Sequence, residues 1–261
     1  MKMPKAVWND PDLDVTRYEV TSFDEEKIEC LLMTPKHLSG KMPCLIYIHG
    51  GGFVLPAADY HYKNAMRYAK EVGCKVLFVN YRLAPAHPHP IFFEDCYAAF
   101  CWAYEHADDL GIDIHRMGVG GDSAGSALAV GVCMMARDRE IRIAFQLPLY
   151  PMLSNLDTES SRDNHGRIWN TRRNHLGWRL YLRGDAKKED VSPYASPSRQ
   201  TDYSNLPPCY TFVGEGEPFY AETLQYVEDL RRAGVPAEAD VYPTNLHAFD
   251  MLYPEDAVSQ Q

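Results

Sequence analysis

A serine hydroxyl becomes a nucleophile only when a base in hydrogen-bond reach takes its proton, and a carboxylate usually orients that base. Three stretches of this 261-residue chain carry the needed residue types in a suitable order. Gly121-Asp122-Ser123-Ala124-Gly125 sets Ser123 among small residues, which a sharp strand-to-helix turn requires because the chain passes close to itself. Gly214-Glu215-Gly216-Glu217-Pro218 supplies carboxylates at the end of an apolar run. Glu217 is the candidate acid, because Gly216 and the rigid Pro218 shape a loop that fixes it; Glu215 and Asp250 are the alternatives. His247 lies a short loop beyond the next apolar run and is the candidate base. The order Ser, Glu, His is the one this kind of serine turn uses. Upstream, His49-Gly50-Gly51-Gly52-Phe53 follows another apolar run. Amides of consecutive glycines can converge on one point, so Gly51 and Gly52 N–H, with Ala124 N–H, are expected to hold the negative oxygen of a tetrahedral intermediate. No Gly-Lys-Ser/Thr follows the glycines, which excludes a phosphate loop of that type.

These groups need a scaffold that ends several strands at one edge. Tyr18 to Ser22 and Lys27 to Met33 read as an antiparallel hairpin joined by Asp24-Glu25-Glu26. Cys44 to Ile48, Lys75 to Asn80, Met117 to Gly120, Ile143 to Leu149, Cys209 to Val213 and Ala237 to Tyr242 read as further strands, the first two apolar enough to be buried on both faces. Tyr60 to Val72, Phe92 to His106, Ser126 to Arg137 and Phe219 to Ala233 read as helices between them. Strands alternating with helices predict an α/β fold with a mainly parallel central sheet and helices on both faces. The alternation lapses between Met152 and Asp190, where charged residues mix with Trp169, Trp178 and Tyr181. That stretch reads as a small helical cap insertion in one catalytic domain spanning 1–261.

Composition narrows the partners. The net charge is −10 and Lys/Arg form no cluster of the kind that grips nucleic acid or an anionic membrane, so neither is expected as a partner. No apolar run has the length of a membrane span, and Met1-Lys2-Met3-Pro4-Lys5 leads into Trp8-Asn9-Asp10 without an apolar signal core. The seven cysteines are an odd number without Cys-x-x-Cys spacing, and most fall inside apolar runs. They read as reduced core thiols of a cytoplasmic protein. His87-x-His89 lies between prolines with no Cys or carboxylate at ligand spacing, so it reads as loop, and no metal is expected. Asp122 sits next to Ser123 and cannot reach round to orient His247, so its expected role is local and structural.

The motifs His49 to Phe53, Tyr81-Arg82-Leu83-Ala84-Pro85 and Gly121 to Gly125 resemble those of the hormone-sensitive-lipase-like esterases of the α/β-hydrolase superfamily. The resemblance runs from about Pro43 to Phe249. It implies the α/β-hydrolase fold and a serine hydrolase that cleaves short-chain carboxylic esters, as an acetyl esterase does, through an acyl-enzyme on Ser123, without metal or organic cofactor. It implies a small-molecule ester as partner; a homodimer is the candidate assembly on separate grounds, the thin cover of the sheet described below. It also implies that His49 supports the glycine loop with Gly50 and is not the base. Two other readings stay open: a deacetylase of acetylated carbohydrates, and a non-catalytic small-ligand-binding protein on the same fold. His247 counts against the latter.

The chain departs from the family pattern in several places. Glu217 stands where Asp is usual, Ala248 follows His247 where Gly is usual, and Ser126 replaces a second Gly after the serine turn. Few residues precede the first hairpin, where the family has a cap segment, and only fourteen follow His247, where it has a last helix. A parallel sheet apolar on both faces must be covered. The expectation is therefore an apolar patch beside Cys209 to Val213 and Ala237 to Tyr242, covered by a neighbouring chain or by a shift of the Phe219 to Ala233 helix. The tail after Tyr253 is expected to pack poorly.

Overall fold

In a computed structural model, Val7 and residues 9–184 and 190–261 are described. The N-terminal residues read above for a targeting signal fall largely outside that range, as do residues 185–189 of the cap insertion. Eight strands form one sheet in the order β1-β2-β4-β3-β5-β6-β7-β8. They are β1 (Leu13–Thr21), β2 (Lys27–Pro35), β3 (Met42–Ile48), β4 (Lys75–Asn80), β5 (Ile112–Asp122), β6 (Phe145–Leu149), β7 (Cys209–Gly214) and β8 (Ala237–Tyr242). The pairs β1/β2 and β2/β4 are antiparallel, and every pair from β4 across to β8 is parallel. This is the α/β-hydrolase fold, with its parallel strands all ending at the same edge.

Period-two alternation assigns each side chain to a face. Leu45 and Tyr47 of β3 and Val76 and Phe78 of β4 pack on one face against Tyr62, Ala65 and Met66 of helix α1 (Asp59–Tyr68). Cys44, Ile46 and Ile48 join the opposite face with Leu77 and Val79. There they meet α2 (Ile91–Glu105), α3 (Ala124–Asp138) and α5 (Tyr220–Arg232) through Phe92, Phe100, Leu128, Tyr226 and Leu230. Each such side chain contributes about 1.5–3 kcal/mol when fully buried. Helix α3 is buried nearly all round, which suits its Ala-, Gly- and Val-rich sequence and its place directly behind the serine turn.

Three elements differ most in extent from their sequence signals. β1 begins at Leu13 rather than Tyr18, because an edge strand exposes alternate polar residues and shows no continuous apolar run. β5 begins at Ile112, ahead of Met117, through a register shift between Met42 and Cys44 of its partner. The predicted Tyr60 to Val72 helix ends as α-helix at Tyr68 and continues as a π turn through Ala69–Gly73. Within the cap, α4 (Thr171–Tyr181) is the helix among the described residues, and the segment before it is made of turns. At the far end, α6 (Phe249–Leu252) covers part of the sheet with Ala248 and Met251 against Leu149, Tyr150 and Val213. Phe145, Tyr210 and Val241 are exposed there, and residues 254–261 form mostly exposed turns.

Candidate active site

The β5-to-α3 turn places Ser123 at φ 54° and ψ −120°, a region that costs a non-glycine residue about 1–3 kcal/mol. The surroundings hold it there. Ser123 N–H donates to Leu149 O at 3.0 Å, and Ser123 O accepts from Met152 N at 3.1 Å. A Cβ on Gly121 would lie 2.3 Å from Ile48 O, and one on Gly125 2.1 Å from the same atom, so the small residues flanking the serine are sterically required. Ser126, in place of the family's second glycine, turns its hydroxyl onto Gly121 O at 2.7 Å and Leu149 O at 2.9 Å, adding a tie across the turn.

His247 stands between the serine and a carboxylate. Its Nε2 is 2.8 Å from Ser123 Oγ, and its Nδ1 is 2.5 Å from Glu217 Oε2. Glu217 is fully buried at the end of β7, and its other oxygen accepts from Gly214 N at 3.0 Å. An Nδ1–H donating to the carboxylate leaves Nε2 free to accept the serine proton. The rings of Tyr150 and Phe219 meet the imidazole edge-on at 5.0 and 5.1 Å and limit its tilt. Ala248, where glycine is usual, sits at φ 57° and opens α6. The two alternative acids are placed elsewhere. Glu215 is exposed, and Asp250 is buried with neither carboxylate oxygen hydrogen-bonded among the described residues. Burial pushes the Asp250 carboxyl up to about 6.

The glycine loop folds tightly over β3. Gly51 and Gly52 adopt φ 116° and 59°, which only glycine takes without strain. Gly51 O accepts from Val54 N and Leu55 N, while Gly51 and Gly52 N–H donate to no acceptor among the described residues. Ala124, as the first residue of α3, has an amide with no intrahelical partner. A side chain on Gly52 would run into the Trp169 indole, 2.1 Å from its Cη2 atom. The same indole lies 6.5 Å from the His247 ring, so the cap roofs the space above the serine with Trp169.

Asp122 ties the serine turn to the glycine loop. Its Oδ2 accepts from Gly50 N at 3.1 Å and faces His61 Nε2 at 3.3 Å, and its Oδ1 accepts from Tyr47 OH at 2.7 Å. Because His61 Nδ1 accepts from Ala58 N at 2.9 Å, the Nε2 is the atom that carries hydrogen. Burial works to raise the Asp122 carboxyl, but the pairing with His61 and the Tyr47 hydroxyl outweigh it and hold it below the ordinary carboxylate range. His49 stacks on Tyr81 at 4.4 Å and donates from Nδ1 to Gly50 O at 2.7 Å. Burial, then the neighbouring His61, lowers its pKa to about 3, so it is neutral. Tyr81 OH donates to His49 O at 2.7 Å. Arg82, next in the chain, holds Asp95 and Asp24 and so anchors that segment.

Sequence reasoning missed Tyr47, His61, Trp169 and Tyr150. All are brought to the site by packing between elements distant in sequence; each type alone carries no local signal. His89 Nδ1 is 3.2 Å from Tyr181 OH, and burial lowers its pKa to about 4. Among the described residues no cluster of His, Cys, Asp or Glu is arranged to hold a metal, and no helix is long and apolar enough to cross a membrane. All seven cysteines are free thiols.

Comparison with known proteins bears on the fold and the family. A family profile described as "alpha/beta hydrolase fold" matches residues 45–251. Esterase LipI of Mycobacterium tuberculosis is 33% identical over 209 residues, which are 79% of this chain and 65% of LipI. The acetyl esterase of Salmonella choleraesuis is 31% identical over 210 residues, covering 78% of this chain and 64% of its own length. The chain thus spans just under two thirds of either relative. The solved structure "Bacterial Heroin Esterase" superposes with a TM-score of 0.91 at 34% identity, over 98% of this chain and 83% of that one.

Proposed function

The chain belongs to the hormone-sensitive-lipase-like esterases of the α/β-hydrolase superfamily, and from that premise we propose that it hydrolyses short-chain carboxylic esters through an acyl-enzyme on Ser123. The observation that carries the reading is the buried line from Ser123 Oγ through His247 to Glu217, with contacts of 2.8 and 2.5 Å. His247 Nε2 takes the Ser123 proton as Oγ attacks the ester carbonyl carbon. Glu217 stabilises the imidazolium that forms and keeps its orientation. The carbonyl oxygen becomes an oxyanion held by Gly51, Gly52 and Ala124 N–H, each such donor being worth about 3 kcal/mol. The intermediate collapses by breaking the bond to the alcohol oxygen, which takes the proton from His247. Water, activated by the same imidazole, then attacks the acyl carbon and releases the acid and free Ser123.

Short acyl groups are favoured on this reading because Trp169 stands over Gly52 and His247. The acetyl esterase name of one relative supports the same preference. A simple carboxylic ester and an acetylated sugar would use the same chemistry and differ in the acceptor. We read residues 1–261 as one catalytic domain whose cap is the 152–190 insertion, working in the cytoplasm, where the seven free cysteines would stay reduced. The test is a stopped-flow trace with p-nitrophenyl acetate. An initial burst of p-nitrophenol stoichiometric with protein, followed by steady turnover, is expected. Absence of both, with intact fold, would leave the binding-protein reading in its place.

A further inference from the structure

Glu217 needs closer placement than an aspartate would, because its longer side chain has one more rotatable bond to fix. Its Oε1 accepts from Gly214 N at 3.0 Å, and its own N–H donates to Gly214 O at 3.1 Å, so the turn from Gly214 to Glu217 is tied to itself. Beyond Glu217 that bracing stops. Pro218 has no amide hydrogen to give, which leaves its carbonyl as the one polar group that can fasten it. Phe219, just ahead of α5, has no side-chain oxygen with which to cap the helix.

The cap provides both missing contacts through one residue. Ser160 Oγ donates to Pro218 O at 2.8 Å and accepts from Ala221 N, in the first turn of α5, at 2.9 Å. A hydroxyl 58 positions away in sequence thus pins the carbonyl just past the acid and stands in for the absent helix cap. On the other flank of Glu217, Asn164 Nδ2 donates to Gly216 O at 3.2 Å and to Ser160 O at 3.3 Å. The Asn164–Gly216 contact is exposed to competing water, whereas both Ser160 contacts are partly buried, so Ser160 carries more of the grip. Ser160 is itself braced from within the cap. Its neighbour Ser161, fully buried, accepts through Oγ from Thr158 N at 2.8 Å, and Thr171 Oγ1 at the start of α4 donates to Ser161 O at 2.7 Å.

We propose that Ser160 is a positioning residue for catalysis: acting through Pro218, it holds the Glu217 carboxylate on His247 Nδ1, so that the cap sets the triad as well as roofing it. The inference rests on the esterase reading above and adds a cap residue to the groups that serve it. Ser160 works on the acid and not on the ester. Its loss should therefore lower kcat and leave KM in place, the mark of an interaction that matters only in the transition state.

The test is a double-mutant cycle of Ser160→Ala and Glu217→Ala, read with p-nitrophenyl acetate. Ser160→Ala alone is expected to lower kcat about tenfold with KM within about twofold, less than the roughly hundredfold cost of a full ångström of displacement, because Gly214 N still holds Oε1. In the Glu217→Ala background no carboxylate remains to be placed, and adding Ser160→Ala should change kcat by less than about twofold. An equal fall in both backgrounds would show that Ser160 only supports the fold, and would overturn the proposal. Unchanged kcat in the single variant, or a fall carried by KM, would overturn it too. Ser160→Thr keeps the hydroxyl at this half-buried position and should return kcat to within about threefold of wild type; a threonine variant as slow as the alanine one would count against the hydroxyl as the cause. A second readout needs no turnover. In the proton NMR spectrum, the downfield resonance that Glu217→Ala abolishes reports the His247 Nδ1 proton in its bond to the carboxylate. Ser160→Ala should move that resonance upfield or broaden it, and an unmoved resonance would overturn the proposal. Should wild-type protein give no burst, the esterase reading falls while this resonance still decides whether Ser160 places Glu217.

Discussion

Asp122→Asn tests whether the serine turn and the glycine loop work as one unit. The substitution keeps the shape and removes the charge. The accommodating orientation turns the new NH2 towards Tyr47 OH, which can rotate to accept, and leaves an oxygen for Gly50 N–H and His61 Nε2, at 3.1 and 3.3 Å in the native protein. Hydrogen bonds to a charged group contribute about 1.5–3 kcal/mol and neutral ones about 1. Weakening two of them costs about 2 kcal/mol before allowing for the easier burial of an amide. For a chain of this size that lowers Tm by roughly 4–8 °C. Gly50 adjoins the amides proposed to hold the oxyanion, so a loosened loop should separately cost about 1.4 kcal/mol of transition-state stabilisation, a tenfold fall in kcat with KM within about twofold. Tyr47→Phe removes one donor, leaves the Gly50 and His61 contacts in place, and should lower Tm while leaving kcat within a few fold. Steady-state kinetics on p-nitrophenyl acetate with parallel thermal melts make the measurement. Unchanged kcat in Asp122→Asn, or a fall carried wholly by KM, would show that the carboxylate has no part in positioning the loop.

Replacing Trp169 by Ala opens the roof over Gly52 and His247, and should shift the p-nitrophenyl ester preference from acetate towards C6–C8 chains; an unchanged chain-length profile would place the acyl wall elsewhere. Asp250 has a folded pKa of about 6 against an ordinary 3.8, so the folded state binds more protons than the unfolded state between those values and stability falls as pH rises through that window. Asp250→Asn should therefore gain stability relative to wild type by about 2–3 kcal/mol on going from pH 4 to pH 7, read by denaturant melts, and a pH-independent difference would refute the assignment. Glu217→Gln should lower kcat by at least about a hundredfold, as loss of the orienting carboxylate does in such triads, whereas Glu215→Gln should leave kinetics within about twofold; equal effects would argue against Glu217 as the acid.

Legibility in the sequence followed how local each signal was. The serine turn is a contiguous pentapeptide whose strand, turn and helix adjoin, and its place between β5 and α3 could be read directly. Glu217 was marked by Gly and Pro at a strand end, a local cue, although its contact with His247 spans 30 residues. The Asp122 network was out of reach, because Tyr47 and Gly50 lie 75 and 72 residues away and meet the carboxylate only once β3 and β5 are neighbours. The cap before α4 is the least legible part of the described chain. Its Ser, Thr and Asn side chains bond the backbone: Thr171 Oγ1 to Ser161 O, Ser160 Oγ to Pro218 O and Asn164 Nδ2 to Ser160 O. Such bonds compete with helix and leave no apolar period to read. Helix resumes only where Asn170 caps α4 by accepting from Arg173 N at 3.1 Å.

The central claim is that Ser123 carries the acyl group, and mass spectrometry tests it most directly. Protein mixed with p-nitrophenyl acetate is acid-quenched within milliseconds, weighed intact and mapped by peptide. The account predicts one acetyl adduct on the peptide containing Ser123, growing with the p-nitrophenol burst, retained longer in Glu217→Gln and absent in Ser123→Ala. Steady turnover with no adduct on Ser123, or undiminished turnover by Ser123→Ala, would contradict it.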